Sequence, residues 1–135
     1  MNTKLLMTTS AVVMGALGIA ASFLPQEILL SAGLVPSRPA VLGLQVLGAL
    51  YLGFAMLNWM AKANLIGGIY SRPLAMGNFL HFTIAALALV KGAVADPSPG
   101  VWVAGTVYSM FAVGFGLVIF RPARVSPPSI PSTFS

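Results

Sequence analysis

Charged residues interrupt this chain so rarely that four uncharged apolar runs stand out, at positions 5–24, 41–61, 73–90 and 100–120. An α-helix needs about 20 mostly apolar residues to cross the hydrocarbon core of a bilayer. Each run meets or nearly meets that length, the third when continued to about residue 93. The runs are continuously apolar rather than alternating, and they are too long for barrel strands, which excludes a transmembrane β-barrel. The pattern predicts an all-α integral membrane four-helix bundle. It fills residues 1–124 as one domain, with connections too short to hold a soluble one. The Pro/Ser-rich stretch 125–135 predicts a disordered tail.

The breaks between the runs carry their own signals. Pro25-Gln26-Glu27 opens the first connection, with proline suited to a first helical position and an acidic residue to a first turn. Apolar Ile28 to Leu30 follow, then Gly33 as a C-terminal stop. This predicts a short helix lying in the membrane interface, then a turn at Pro36-Ser37-Arg38-Pro39. Gly67-Gly68 breaks the second connection, and Arg72-Pro73 opens the third span. The amides near Gly67-Gly68, with Lys62 and Arg72, offer an anion site, but a turn and helix start account for the same residues more cheaply. Asp96-Pro97-Ser98-Pro99-Gly100 is a tight breaker before the last span. Lys4 and the small residues Ala20-Ala21-Ser22 imitate a secretory signal. The apolar run between them is longer than a signal h-region of about 7–15 residues, so it reads as a retained first helix.

Composition agrees with the membrane reading: 58% of the 135 residues are hydrophobic and 7% are charged, against about a quarter in soluble domains. The net charge of +5 does not indicate nucleic acid, because the basic residues are scattered at helix ends. Lys4, Lys62, Arg72, Arg121 and Arg124 fall on one side of the membrane. Arg38 and Lys91 fall on the other, offset by Glu27 and Asp96. Basic residues accumulate in cytoplasmic loops, which puts both termini in the cytoplasm. Trp59 and Tyr70 then sit near the inner interface and Trp102 near the outer one. The sequence has no cysteine, hence no disulfide and no thiolate metal ligand.

Helices associate in lipid by close packing, so small residues mark their contacts. The first span aligns Thr8, Ala11, Gly15, Gly18 and Ser22, and the fourth aligns Gly105, Ser109, Ala112 and Gly116. These two stripes are expected to pack closely, on each other or on a neighbouring helix. The third span aligns Asn78, His81, Ala85, Ala88 and Gly92, leaving Phe79, Leu80, Ile84, Leu87 and Val90 for lipid. The second aligns Gly48, Tyr51, Ala55, Asn58 and Lys62.

Tyr51, Asn58, Asn78 and His81 are thereby expected to meet inside the cytoplasmic half of the bundle. The ordinary role of such a cluster is interhelical hydrogen bonding, worth about 0.6 kcal/mol per bond. An ionisable residue within a span is also a functional candidate. One alternative is a ligand site for a quinone, lipid or pigment; another makes His81 the single axial ligand of a tetrapyrrole, beside Gly77, Ala85 and Ala88. The sequence requires no cofactor. Its two acidic residues, Glu27 and Asp96, both lie outside the spans, and no nucleophile–base pair, metal motif or nucleotide loop appears.

The layout resembles the DoxX-like superfamily of small four-helix bacterial membrane proteins. The resemblance rests on Phe23-Leu24-Pro25-Gln26-Glu27-Ile28-Leu29, on Leu47-Gly48-Ala49-Leu50-Tyr51-Leu52-Gly53 and on Arg72-Pro73. It implies a four-helix protein of the bacterial inner membrane, in a group that includes subunits associated with quinone-linked oxidation. No catalytic residue carries over, and the lack of cysteine and of buried charge argues against a redox role for this chain. The expectation is a non-catalytic accessory or structural subunit. Its expected partners are membrane lipids and other membrane subunits or further copies of itself. Ligand carriage between the second and third spans is the alternative, and a small transporter or channel is a third reading.

Overall fold

A computed structural model describes residues 3–62 and 71–120. Among them run the helices α1 (Thr3–Phe23), α2 (Pro25–Ser31), α3 (Arg38–Ala61), α4 (Ser71–Ala95) and α5 (Pro99–Phe120). All but the short α2 are long and apolar enough to cross a membrane. The fold is an all-α membrane helical bundle. The Gly67-Gly68 anion site, Tyr70 and the tail 125–135 lie outside the described residues.

Helix ends follow local chemistry. Pro25 stands in the first turn of α2 with Glu27. Gly33, at φ +74°, closes α2. Leu34 N–H donates to the Leu29 carbonyl at 2.9 Å and Gly33 N–H to Leu30 at 3.0 Å, the two bonds of a Schellman motif. α3 begins at Arg38, inside the stretch expected to be a turn. The Ser37 side chain accepts from the Ala40 N–H, and Pro39 lacks only an N–H that a first turn leaves unpaired.

Helix contact is concentrated in two pairs, α1 with α3 and α4 with α5, and is sparse between them. The backbones of α1 and α3 nearly touch. A Cβ on Gly48 would stand 2.7 Å from the Ser22 amide nitrogen and 2.9 Å from the Gly18 carbonyl oxygen. A Cβ on Gly18 would meet the Gly48 oxygen and the Leu52 nitrogen, both at 2.9 Å. In the second pair, Gly105 faces Leu89 and Val90, and Gly116 faces Phe79, whose ring a Cβ would meet at 3.2 Å. Each small-residue stripe therefore sits on the span next to it in sequence: the first on the second, the fourth on the third. Phe79, expected to face lipid, instead covers Gly116 and packs edge-on against Phe120.

Besides the buried Ala75 and Ala86 of α4, each of the four long helices contributes a buried or half-buried quartet to the core at the same spacing. These are Met7, Ser10, Ala11 and Met14; Tyr51, Phe54, Ala55 and Asn58; Asn78, His81, Phe82 and Ala85; and Tyr108, Phe111, Ala112 and Phe115. Positions i, i+3, i+4 and i+7 share one helix face. Met14, Phe82 and Phe115 are wholly buried where these faces meet. Farther along α4, Ala88 and Gly92 are exposed. The polar face expected to run the length of this helix is thus covered only at the end that carries the start of α1.

Candidate functional site

The seam between the two helix pairs holds two polar layers. The first is built on Asn58 of α3 and Asn78 of α4, both fully buried. Asn58 Nδ2 donates to Asn78 Oδ1 at 2.8 Å, and Asn78 Nδ2 donates back to Asn58 Oδ1 at 2.7 Å. The second proton of Asn58 goes to Ser10 Oγ at 3.1 Å, and that of Asn78 to the Leu74 carbonyl at 2.9 Å. Ser10 in turn donates to the Met7 carbonyl at 3.0 Å. Every amide proton of the pair has an acceptor. The layer is a clasp joining α1, α3 and α4, with no amide proton left unpaired.

The second layer lies farther in, about one helical turn along α4 and two along α3. Tyr108 of α5 donates its hydroxyl to Tyr51 of α3 at 2.8 Å, so one hydroxyl proton of the pair stays undonated among the described residues. His81 stands beside them. Its ring is stacked on Phe54 at 5.4 Å and meets Tyr51 and Phe82 edge-on at 5.3 and 5.2 Å. Tyr108 lies 6.0 Å away. Phe82 continues the ring system onto Phe111 at 4.8 Å and Phe115 at 5.8 Å. Nε2 of His81 is buried and has no hydrogen-bond partner among the described residues. These rings flank the imidazole that the sequence offers as an axial ligand. Among the described residues, no three acidic or histidine side chains gather where they could hold a metal.

The four residues singled out in the sequence are thus divided between two layers, Asn58 with Asn78 and Tyr51 with His81. Three partners escaped the sequence reading. Ser10 is hidden in the run Thr8-Thr9-Ser10, of which it alone is buried. Phe54 reads as one more apolar residue. Tyr108 lies beside the Gly105–Ala112 stripe, but a hydroxyl that deep requires a partner, and that was its available signal. Gln45 belongs to neither layer, and its Nε2 reaches the Ser22 carbonyl at 3.5 Å across the α1–α3 crossing.

The helix-packing residues sit as follows. Ala11 is buried, Gly15 lies 3.7 Å from the Ala55 methyl by its notional Cβ, and Gly18 and Ser22 meet Gly48. Gly105 and Gly116 meet α4, Ser109 bonds the Gly105 carbonyl at 2.7 Å, and Ala112 packs on the core. Lys62 places its ammonium over the Trp59 ring, which anchors the end of α3. No family model, no curated protein and no solved structure matches this chain, so its functional reading rests on the bundle itself.

Proposed function

We propose that this chain is a non-catalytic accessory or structural subunit of a larger complex in a bacterial inner membrane, with both termini in the cytoplasm. One observation carries the reading. Every amide proton of the buried Asn58–Asn78 pair has an acceptor, in the partner amide, in Ser10 or in the Leu74 carbonyl. What remains outward is apolar helix surface, above all on α3, where Val46, Met56 and Met60 are exposed. Such a surface suits contact with lipid and with other membrane helices. The DoxX-like resemblance points the same way. Native mass spectrometry from mild detergent should find the chain with a second membrane protein; a chain that elutes alone and monomeric sinks the proposal. A reporter fused after Ser135 that is active only outside the cytoplasm should stay silent, and a strong signal reverses the orientation.

A second reading has its own support in the seam. Among the described residues, His81 Nε2 lacks a partner and one hydroxyl proton of the Tyr51–Tyr108 pair is undonated. A buried polar atom left unpaired costs about 1–3 kcal/mol, and an oxygen of a small lipophilic molecule, such as a quinone, lipid or pigment, would relieve it. Absorbance and solvent extraction of the purified protein should then reveal a bound molecule that His81→Ala loses. Unchanged content in that variant ends this reading.

A further inference from the structure

A recess opens between the first and last spans. α1 and α5 touch where Leu6 covers Gly114, close enough that a Cβ on Gly114 would stand 2.9 Å from a Leu6 methyl. Elsewhere the two helices make few contacts. Thr9 and Val13 on one side and Val107, Met110 and Phe111 on the other line a groove of about 420 Å³. We propose that this groove seats one acyl chain of a membrane phospholipid.

Three features select a chain over other occupants. The walls present no unused polar group, since the Thr9 hydroxyl donates within its own helix to Leu5 and Leu6, at 2.8 and 3.1 Å. The groove therefore asks for no headgroup, carbonyl or water. It is also unlike a seat for a helix. Helix seats in lipid use small residues, and this bundle supplies internal examples at Gly18 with Gly48, at Gly105 and at Gly116. Apart from Thr9, the groove is walled by leucine, valine, methionine and phenylalanine, which suit a slender flexible occupant. Finally, Leu5 to Val13 spans about 12 Å of helix at 1.5 Å per residue. That is a little under half of a hydrocarbon core of about 30 Å, the reach of one chain within one leaflet. The wall is firm, because Phe111 is stacked on the buried Phe82. This reading goes beyond the accessory role and does not depend on it.

The test uses the full chain alone in phospholipid nanodiscs containing a trace of phosphatidylcholine with a photoactivatable acyl chain, followed by mapping of the adducts. The expected result is severalfold more labelling on Leu5, Thr9 and Met110 than on Val46 and Met60. Exposure alone does not predict this, since Met110 and Val46 are each 70% exposed and Met60 is 69%. Labelling that follows exposure overturns the proposal. So does labelling of the groove below the level of Val46, which means that another helix or a second copy covers it. Filling the groove with Thr9→Phe and Val107→Phe should remove the enrichment, and its persistence in a folded variant also overturns the proposal. If that variant fails to fold, the contrast between groove and α3 face in the unaltered chain decides the matter. Failure to find a protein partner leaves this result untouched.

Discussion

Two interfaces hold this bundle, and they use opposite materials. Where α1 crosses α3, Gly18 and Gly48 remove the side chains and the two backbones come into direct contact. Where the α1–α3 pair meets the α4–α5 pair, the space is filled by Phe54, Phe82, Phe115 and the His81 ring, with polar groups set among them. Water gives apolar groups no reason to cluster inside a bilayer, because lipid tails are as apolar as leucine. Each interface therefore relies on close dispersion contact or on hydrogen bonds. The crossing relies chiefly on dispersion where the backbones meet at Gly18 and Gly48, with the Gln45–Ser22 and Asn58–Ser10 bonds on either side of it. The seam leaves wider spaces and needs rings to fill them and amides to fix the register.

That contrast predicts where substitution does most harm. Gly48→Val adds two carbons beyond a Cβ that already stands 2.5 Å from Ser22 Oγ and 2.7 Å from its amide nitrogen. Backbone cannot yield as a flexible side chain does, so α1 and α3 must separate. Overpacking of a tight core costs up to about 3 kcal/mol, and the upper end is expected here. Steric-trap unfolding in bicelles measures it, and a loss below that of the seam variants would contradict the contrast.

Phe82→Ala comes next. Its ring is fully buried and touches His81, Tyr108, Phe111 and Phe115. The expected loss is about 2 kcal/mol, below the usual range for soluble cores, because lipid-facing states lose packing but no hydrophobic transfer. The same unfolding assay checks it.

The clasp should behave differently from both. Asn58→Leu leaves Asn78 Oδ1 and one of its amide protons unpaired, and Asn78→Leu does the same to Asn58, each costing about 1 kcal/mol. The double variant strands neither amide and should regain part of the loss. A double-mutant cycle should give a coupling of about 0.6–1.7 kcal/mol, the range for buried hydrogen bonds in membranes. Strict additivity would show that the two amides do not act as a unit. Tyr108→Phe removes one hydroxyl bond to Tyr51 and should cost about 0.6 kcal/mol.

Much of this arrangement is legible in the chain and some of it is not. The four spans follow from run length. Asn58 and Asn78 attract notice because a primary amide in hydrocarbon needs a partner. The four quartets at i, i+3, i+4 and i+7 are also written in the sequence, although phenylalanine there looks no different from phenylalanine facing lipid. Pairing is less legible, since a glycine stripe announces close contact without naming the helix that makes it. Small residues on α1 and α5 suit one another as well as they suit α3 and α4. The exposed ends of the α4 face, Ala88 and Gly92, and the groove beside Thr9 depend on how the helices are placed. No single residue encodes that placement.

The smallest expected effect gives the comparison its cleanest form. Gly53 lies five residues from Gly48 on the same helix, and a Cβ there meets nothing within 4 Å. Gly53→Ala adds the same methyl as Gly48→Ala, in the same secondary structure and at nearly the same depth. Glycine in a helix interior is about 0.5–1 kcal/mol worse than alanine, so Gly53→Ala should leave stability unchanged or raise it by a few tenths of a kcal/mol. Gly48→Ala should lower it, because the added carbon falls on the Ser22 backbone. Thermal melts in one detergent, followed by circular dichroism, compare the two directly. Equal effects would mean that helix propensity alone governs both sites and that the α1–α3 crossing is no tighter than the open face. Opposite signs would separate the contribution of backbone contact from that of propensity within a single helix.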